Sequence, residues 1–276
     1  MNDSANPAVE PNRWDIGVAA LSVDESVGTK LLPFVLSVIA GSVDIIGFLG
    51  LGGLFTAHIT GNIVVLAAKL VAGEQAPVSY LISVPVFMAV LALTRLLAAG
   101  LERLKIASLV PLLLFQFLLL AASFALCRSA GPRLDPNTAI MILVGMLGVS
   151  AMAVQNGLVR ISLRGAPATA VMTTNITLFT IDVGQVLLGG NASSTGKARE
   201  RARNTWPAIL GFLLGCALGA ACEAAFGLHS LVLPAAFGLL ALALGLTGTL
   251  HRADAARALQ RRDQHNRHQT ESDSLD

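Results

Sequence analysis

Residues 41–62, GSVDIIGFLGLGGLFTAHITGN, set Asp44, His58, Thr60 and Asn62 in an apolar run broken by six glycines. Inside a bilayer such groups need a partner, a wet cavity or an end of the membrane, because hydrocarbon satisfies none of their hydrogen bonds. An ionised Asp44 costs about 3 kcal/mol on insertion scales, so it serves either as a proton or cation site or as a cap for a neighbouring broken helix. His58 is either a proton carrier, since imidazole changes charge near neutral pH, or a hydrogen-bonded packing residue. Thr60, Gly61 and Asn62 follow the glycine break. A half helix beginning there would aim unpaired amides at an anion or a carboxylate, and Asp44 could be that carboxylate.

The pattern recurs. Thr169, Ala170, Thr173 and Asn175 repeat the spacing of Thr56, Ala57, Thr60 and Asn62 at an offset of 113 positions. In the second copy Asn156, next to Gln155, falls near the Asp44 position after a one-residue gap, which leaves one half charged and the other neutral. Asp44, Asn62, Asn156 and Asn175 are the leading expected cavity-lining residues, with Asp182 next, and His58, Thr60, Gln155 and Thr173 complete the expected substrate or ion cavity. The competing use of such Thr and Asn side chains is to fasten membrane helices together by hydrogen bonds. At the same offset Lys69 corresponds to Asp182. A Lys69–Asp182 ion pair across the repeat interface would remove two expensive charges; alternatively Lys69 snorkels to the interface. Glu102 precedes SLVPLLLF late in the first half as Glu223 precedes SLVLPAAF in the second. Gly211, Gly215 and Gly219 stand at i, i+4 spacing with Glu223, a ridge for close helix packing between the halves or between subunits of a homo-oligomer.

The elements that must position these groups are membrane helices. Hydrophobic residues make up 54% of the 276 and charged residues 13%, against about 25% charged in soluble domains. The lipid bilayer is the expected partner, and no face is basic enough for nucleic acid. Apolar segments fall at 31–51, 56–73, 79–100, 107–127, 138–158, 168–190, 206–226 and 229–249. Gly50, Gly52 and Gly53 divide the first two, which form two tilted spans, a re-entrant hairpin, or a broken helix with a half helix. The fold expected is an all-α polytopic membrane helix bundle of six to eight spans, built from two internal repeats with glycine-broken helices.

Residues 1–30 read as a polar tail with no cleavable signal, 31–127 as the first repeat, 128–137 as a linker, 138–249 as the second repeat and 250–276 as a basic, disordered tail or short surface helix. An eight-span arrangement puts Lys30, Arg128, Arg133 and the Lys197–Arg203 cluster inside with both termini. It puts Arg95, Arg103, Lys105, Arg160 and Arg164 outside, where the 95–105 cluster fits poorly. Four spans per half relate the halves by an axis along the membrane normal, three by one in its plane; the even count favours the first.

At GSVDIIGFLGLGGLFTAHITGN the chain resembles the YoaK family of bacterial integral membrane proteins of uncharacterised function. The matching positions are Gly41, Asp44, Phe48, Phe55, Thr60, Gly61 and Asn62, then Gln155, Asn156, Thr173, Thr174 and Asn175. Thr174 stands where the family's second segment carries glycine. The resemblance, over residues 31–249, implies a multi-span protein of the bacterial inner membrane and brings no established chemistry. Cys127, Cys216 and Cys222 lie in or beside apolar segments without metal-ligand spacing and are expected in the core. No metal or cofactor is expected, and no catalytic motif occurs in a matching setting, so an enzyme is not expected. The function expected is secondary transport, or a channel-like passage, for a small solute or ion; the alternative is a membrane scaffold or regulatory partner.

Overall fold

A computed structural model describes residues 27–74, 77–129, 135–189 and 191–249; all regular structure among them is helical. The elements are α1 (Val27–Gly50), α2 (Ile59–Val71), α3 (Val78–Arg103), α4 (Leu109–Ser129), α5 (Ala139–Ser162), α6 (Met172–Leu188) and α7 (Ala192–Phe226). A 3-10 turn, Gly227–Leu231, leads into α8 at 232–249. The tails expected at 1–26 and 250–276, and residues 130–134 of the expected linker, lie outside the described residues.

Five stretches are long and apolar enough to cross a membrane: Leu31–Gly50, α3, α4, α5 and Ala192–Thr249. The last doubles back at Gly227, whose positive φ admits the turn, and its two arms are α7 and α8. The 13-residue α2 and 17-residue α6 rise only about 20 and 26 Å at 1.5 Å per residue, short of the roughly 30 Å of hydrocarbon that takes about 20 residues to cross. They are half helices. The chain therefore runs the length of the bundle six times, within the six to eight spans expected and short of the eight used to place the charges.

Contacts give each helix its direction. Leu36 of α1 meets Gln155 of α5 and Val43 meets Gly148, so these two run antiparallel. Gly211, Gly215 and Gly219 lie against Phe34, Val38 and Ser42, so α7 runs parallel to α1. Ser108 bonds Ser162 and Ser123 bonds the Val144 carbonyl, so α4 opposes α5. Gly238 and Gly245 lie over Leu120 and Leu113, so α8 opposes α4. One end of the bundle gathers the ends of α1, α4 and α7, with Gly50 and Cys127 both against Leu228. The other holds the starts of those helices and the ends of α3 and α5, and with them Arg103, Lys105, Arg160, Arg164 and Arg201. Arg103, Lys105, Arg160 and Arg164 thus share an end with the start of α7, not the opposite side expected for them.

The centre is α1 and α5, whose most apolar windows are 72% and 67% buried against 17% for α3 and 28% for α4. Leu36, Ile39, Val43 and Ile46 of α1 pack with Val149, Met152 and Leu158 of α5. Outer helices instead expose rows of large apolar residues, such as Leu81, Met88, Leu93 and Leu96 on α3, more than a water-soluble monomer shows. This is the surface of a membrane protein in lipid. The α1–α7 crossing is the tightest: a Cβ at Gly211, Gly215 or Gly219 would strike the α1 backbone. The glycine ridge is therefore occupied within the chain.

Candidate functional site

After Gly50 the chain does not continue outward. Gly52 and Gly53 take positive φ, a region that costs other L residues, and turn residues 51–58 back toward the middle of α1. Asp44 meets them there. Its Oδ1 accepts the backbone amides of Thr56 at 2.8 Å and Ala57 at 2.7 Å, and its Oδ2 accepts His58 Nδ1 at 2.6 Å. Asn62, one turn into α2, pairs both ways with Phe55: its Oδ1 accepts the Phe55 amide at 2.8 Å and its Nδ2 donates to the Phe55 carbonyl at 2.7 Å. That Nδ2 also donates to Ser83 of α3 at 3.0 Å. Tyr80 donates to the Gly52 carbonyl and closes the turn from outside.

The first re-entrant turn is thus held at three points by side chains from α1, α2 and α3. Asp44 is the carboxylate facing the amides ahead of a half helix, and it is 5% exposed. His58 is half-buried, edge-on to Phe55 and Phe212, and its Nε2 has no partner among the described residues.

The second turn, 163–171, shares one of these bonds. Asn175 donates to the Ala168 carbonyl at 2.6 Å, seven residues back as Asn62 is from Phe55. The residue that reaches Thr169 is Gln155, fully buried, which donates to the Thr169 hydroxyl at 2.9 Å and the Leu36 carbonyl at 2.8 Å and accepts from Gln116 at 2.6 Å. Asn156, expected in the Asp44 position, is half-buried and donates to the Met152 carbonyl of its own helix. On a helix, adjacent residues point about 100° apart; the α5 face that meets the turn carries Gln155.

Other expected residues are not gathered here. Thr60 and Thr173 are exposed. Lys69 bonds Glu74 at 2.9 Å and Asp182 pairs with Arg201, which replaces the expected Lys69–Asp182 pair. Because α1 and α5 are antiparallel, corresponding positions on the half helices that follow them lie toward opposite ends, and each charge takes a local partner. Glu102 faces Arg95 at 3.7 Å. Cys127 is buried, whereas Cys216 and Cys222 are half-buried.

A cavity of about 470 Å³ opens beside the second turn. Its walls are the end of α5 with Val159 and Arg160, the loop from Leu163 to Ala168 with Arg164, the α6 face of Thr174, Asn175, Leu178 and Asp182, and the α7 face of Arg201, Asn204 and Thr205. Asn175 and Asp182 were legible as site residues; the arginines and Asn204 were not singled out, because in sequence they lie between the apolar segments, where charged and polar residues are ordinary. The signal available was the i, i+4 pair Arg160 and Arg164 just ahead of the repeated motif. No group of His, Cys, Asp and Glu among the described residues could hold a metal ion.

A family model described as a protein of unknown function (DUF1275) matches residues 32–244, from the second turn of the described α1 into α8. No curated protein and no solved structure matches the chain.

Proposed function

We propose, from the premise that the chain belongs to the DUF1275 family of proteins of unknown function, that it carries a small solute or ion across the bilayer as a secondary transporter or channel-like protein. The observation that carries this reading is the cavity at the second re-entrant turn, open between α5, α6 and α7 and walled by Asn175 and Asp182. A turn entering the bundle from each end, each followed by a half helix, is a construction that transporters use at their sites.

The matched bonds Asn62–Phe55 and Asn175–Ala168 support a two-repeat architecture. The antiparallel run of α1 and α5 supports inverted repeats of three crossings and one half helix, in place of the parallel repeats expected from an even count. The Arg201 end then faces the cytoplasm, since Arg103, Lys105, Arg160, Arg164 and the Lys197–Arg203 cluster lie there against Lys69 and Arg128 at the other. The described residues begin and end on that side, which supports the expected cytoplasmic termini, and the YoaK resemblance, consistent with the family match, supports a bacterial inner membrane as the location. The reading assigns no bond-making chemistry to the site.

One observation favours a scaffold or regulatory partner instead: Asp44, Asn62 and Gln155 all bond protein groups, as packing residues do. A thermal-shift screen of the purified protein against ions, amino acids, organic acids, sugars and nucleobases decides between them. Binding to the folded state alone adds about 2.7 kcal/mol of stability at a hundred times the dissociation constant. The expected result is a hit lost in Asn175→Ala. No hit across the panel, with Asn175→Ala merely melting earlier, supports the scaffold.

A further inference from the structure

We infer that the cavity at the second re-entrant turn binds a small oxyanion, a carboxylate or phosphate group; this rests on the transport reading only for what the anion is bound for. Three arginines, Arg160, Arg164 and Arg201, are among the residues that line a space with one acidic residue, Asp182. Asp182 is 3% exposed and takes Arg201 through both its Nε and a terminal nitrogen, so that pair is already made. Arg160 and Arg164 have no acidic partner among the described residues, and the cavity carries two positive charges in excess.

Arginine's planar fork of donors matches carboxylate and phosphate oxygens two at a time. Asn204 adds a neutral amide on the α7 wall, whereas the Asn175 amide nitrogen is given to the Ala168 carbonyl. Leu178 and Val159 are apolar residues of the lining, and the volume is in the range of small-molecule sites, roughly 300–1,000 Å³. Arg201, held by Asp182, needs no rearrangement to present its remaining donors. The opposite turn has no counterpart: Asp44 with His58 occupies it, and its amides are engaged. The two turns are therefore unlike in charge, and only the second is built for an anion.

The test uses the full chain in nanodiscs of zwitterionic lipid, titrated calorimetrically with inorganic phosphate, succinate and, as a neutral control, glucose. Phosphate or succinate is expected to bind and glucose not to. Arg164→Gln, and separately Arg160→Gln, should weaken binding about tenfold or more, as removal of a charged hydrogen-bond partner does, with the melting temperature unchanged.

A parallel arm in phosphatidylglycerol nanodiscs asks by native mass spectrometry whether an anionic lipid is retained and lost in Arg164→Gln. Retention there with no binding of free anions makes the lipid headgroup the source of the oxyanion. Absence of both phosphate or succinate binding and retained lipid, or binding identical in wild type and both variants, overturns the assignment. Proteoliposome flux separates the two readings. Anion binding without flux leaves this site standing and removes transport; flux of a neutral solute or cation by a protein that binds no anion does the reverse.

Discussion

Asp44 holds two backbone amides and an imidazole at once, and its variants should separate these duties. Asp44→Ala strands the Thr56 and Ala57 amides in a dry site, at about 1–3 kcal/mol each; Asp44→Asn keeps an acceptor oxygen and gives up only the charge toward His58. The apparent melting temperature in nanodiscs should fall in both, and further in the alanine variant. Equal melting would mean the carboxylate does not fasten the turn. Asn62→Ala, which unpairs both polar groups of Phe55, belongs with the more damaged of the two. At this scale much was legible. Asp44, His58, Asn62 and Asn175 stood out because polar groups in apolar runs are costly, and the last two also because their spacing recurs. Gln155 and Asn156 were both expected in the cavity, but the Asp44 position went to Asn156 because counting along a chain gives a position, while a bond requires a direction, and one residue on a helix turns that direction away.

The helices make a sharper test of how close approach is bought with glycine. Gly215 sits where the α1 and α7 backbones meet, and its missing Cβ would fall on the Val38 carbonyl. Gly215→Val should force the two helices apart and lower the yield of folded protein severely. Gly184→Ala on α6, where a Cβ meets nothing within 4 Å, should be neutral or stabilise by up to about 1 kcal/mol through better helix propensity. Folded fractions by size-exclusion chromatography read both. If the two variants behave alike, the crossing is looser than described. The ridge itself was visible in the i, i+4 spacing of Gly211, Gly215 and Gly219; its partner was not, since nothing local points across the chain to Phe34, Val38 and Ser42. Likewise the apolar segments at 56–73 and 168–190 carry the hydropathy of spans. Their length as helices is decided by turns that use up residues before Ile59 and Met172.

For the whole molecule, six crossings and two half helices make an unambiguous statement about sides. In a variant with its three cysteines replaced by alanine, Lys105→Cys should react with a membrane-impermeant maleimide from the face that carries the carboxyl terminus, and Glu74→Cys from the opposite face. Labelling of both from one face would refute the six-crossing path, and Lys105→Cys opposite the terminus would restore the eight-span one. Two errors made from sequence share this origin. Counting half helices as spans put Arg103 and Lys105 opposite the start of α7, whose end of the bundle they share, and the ion pair weighed for Lys69 and Asp182 took correspondence under a repeat for proximity when the two lie toward opposite ends. The α1–α7 contact also sets a timetable for biogenesis. Phe34 and Gly211 are 177 positions apart, and at about 5–20 residues per second of synthesis the first helix spends on the order of ten seconds or more in the membrane before its main neighbour leaves the ribosome. Until then its groove at Gly41 is open to any other small-residue helix, which makes the interval before α7 emerges the stage at which a chaperone or insertase has most to protect.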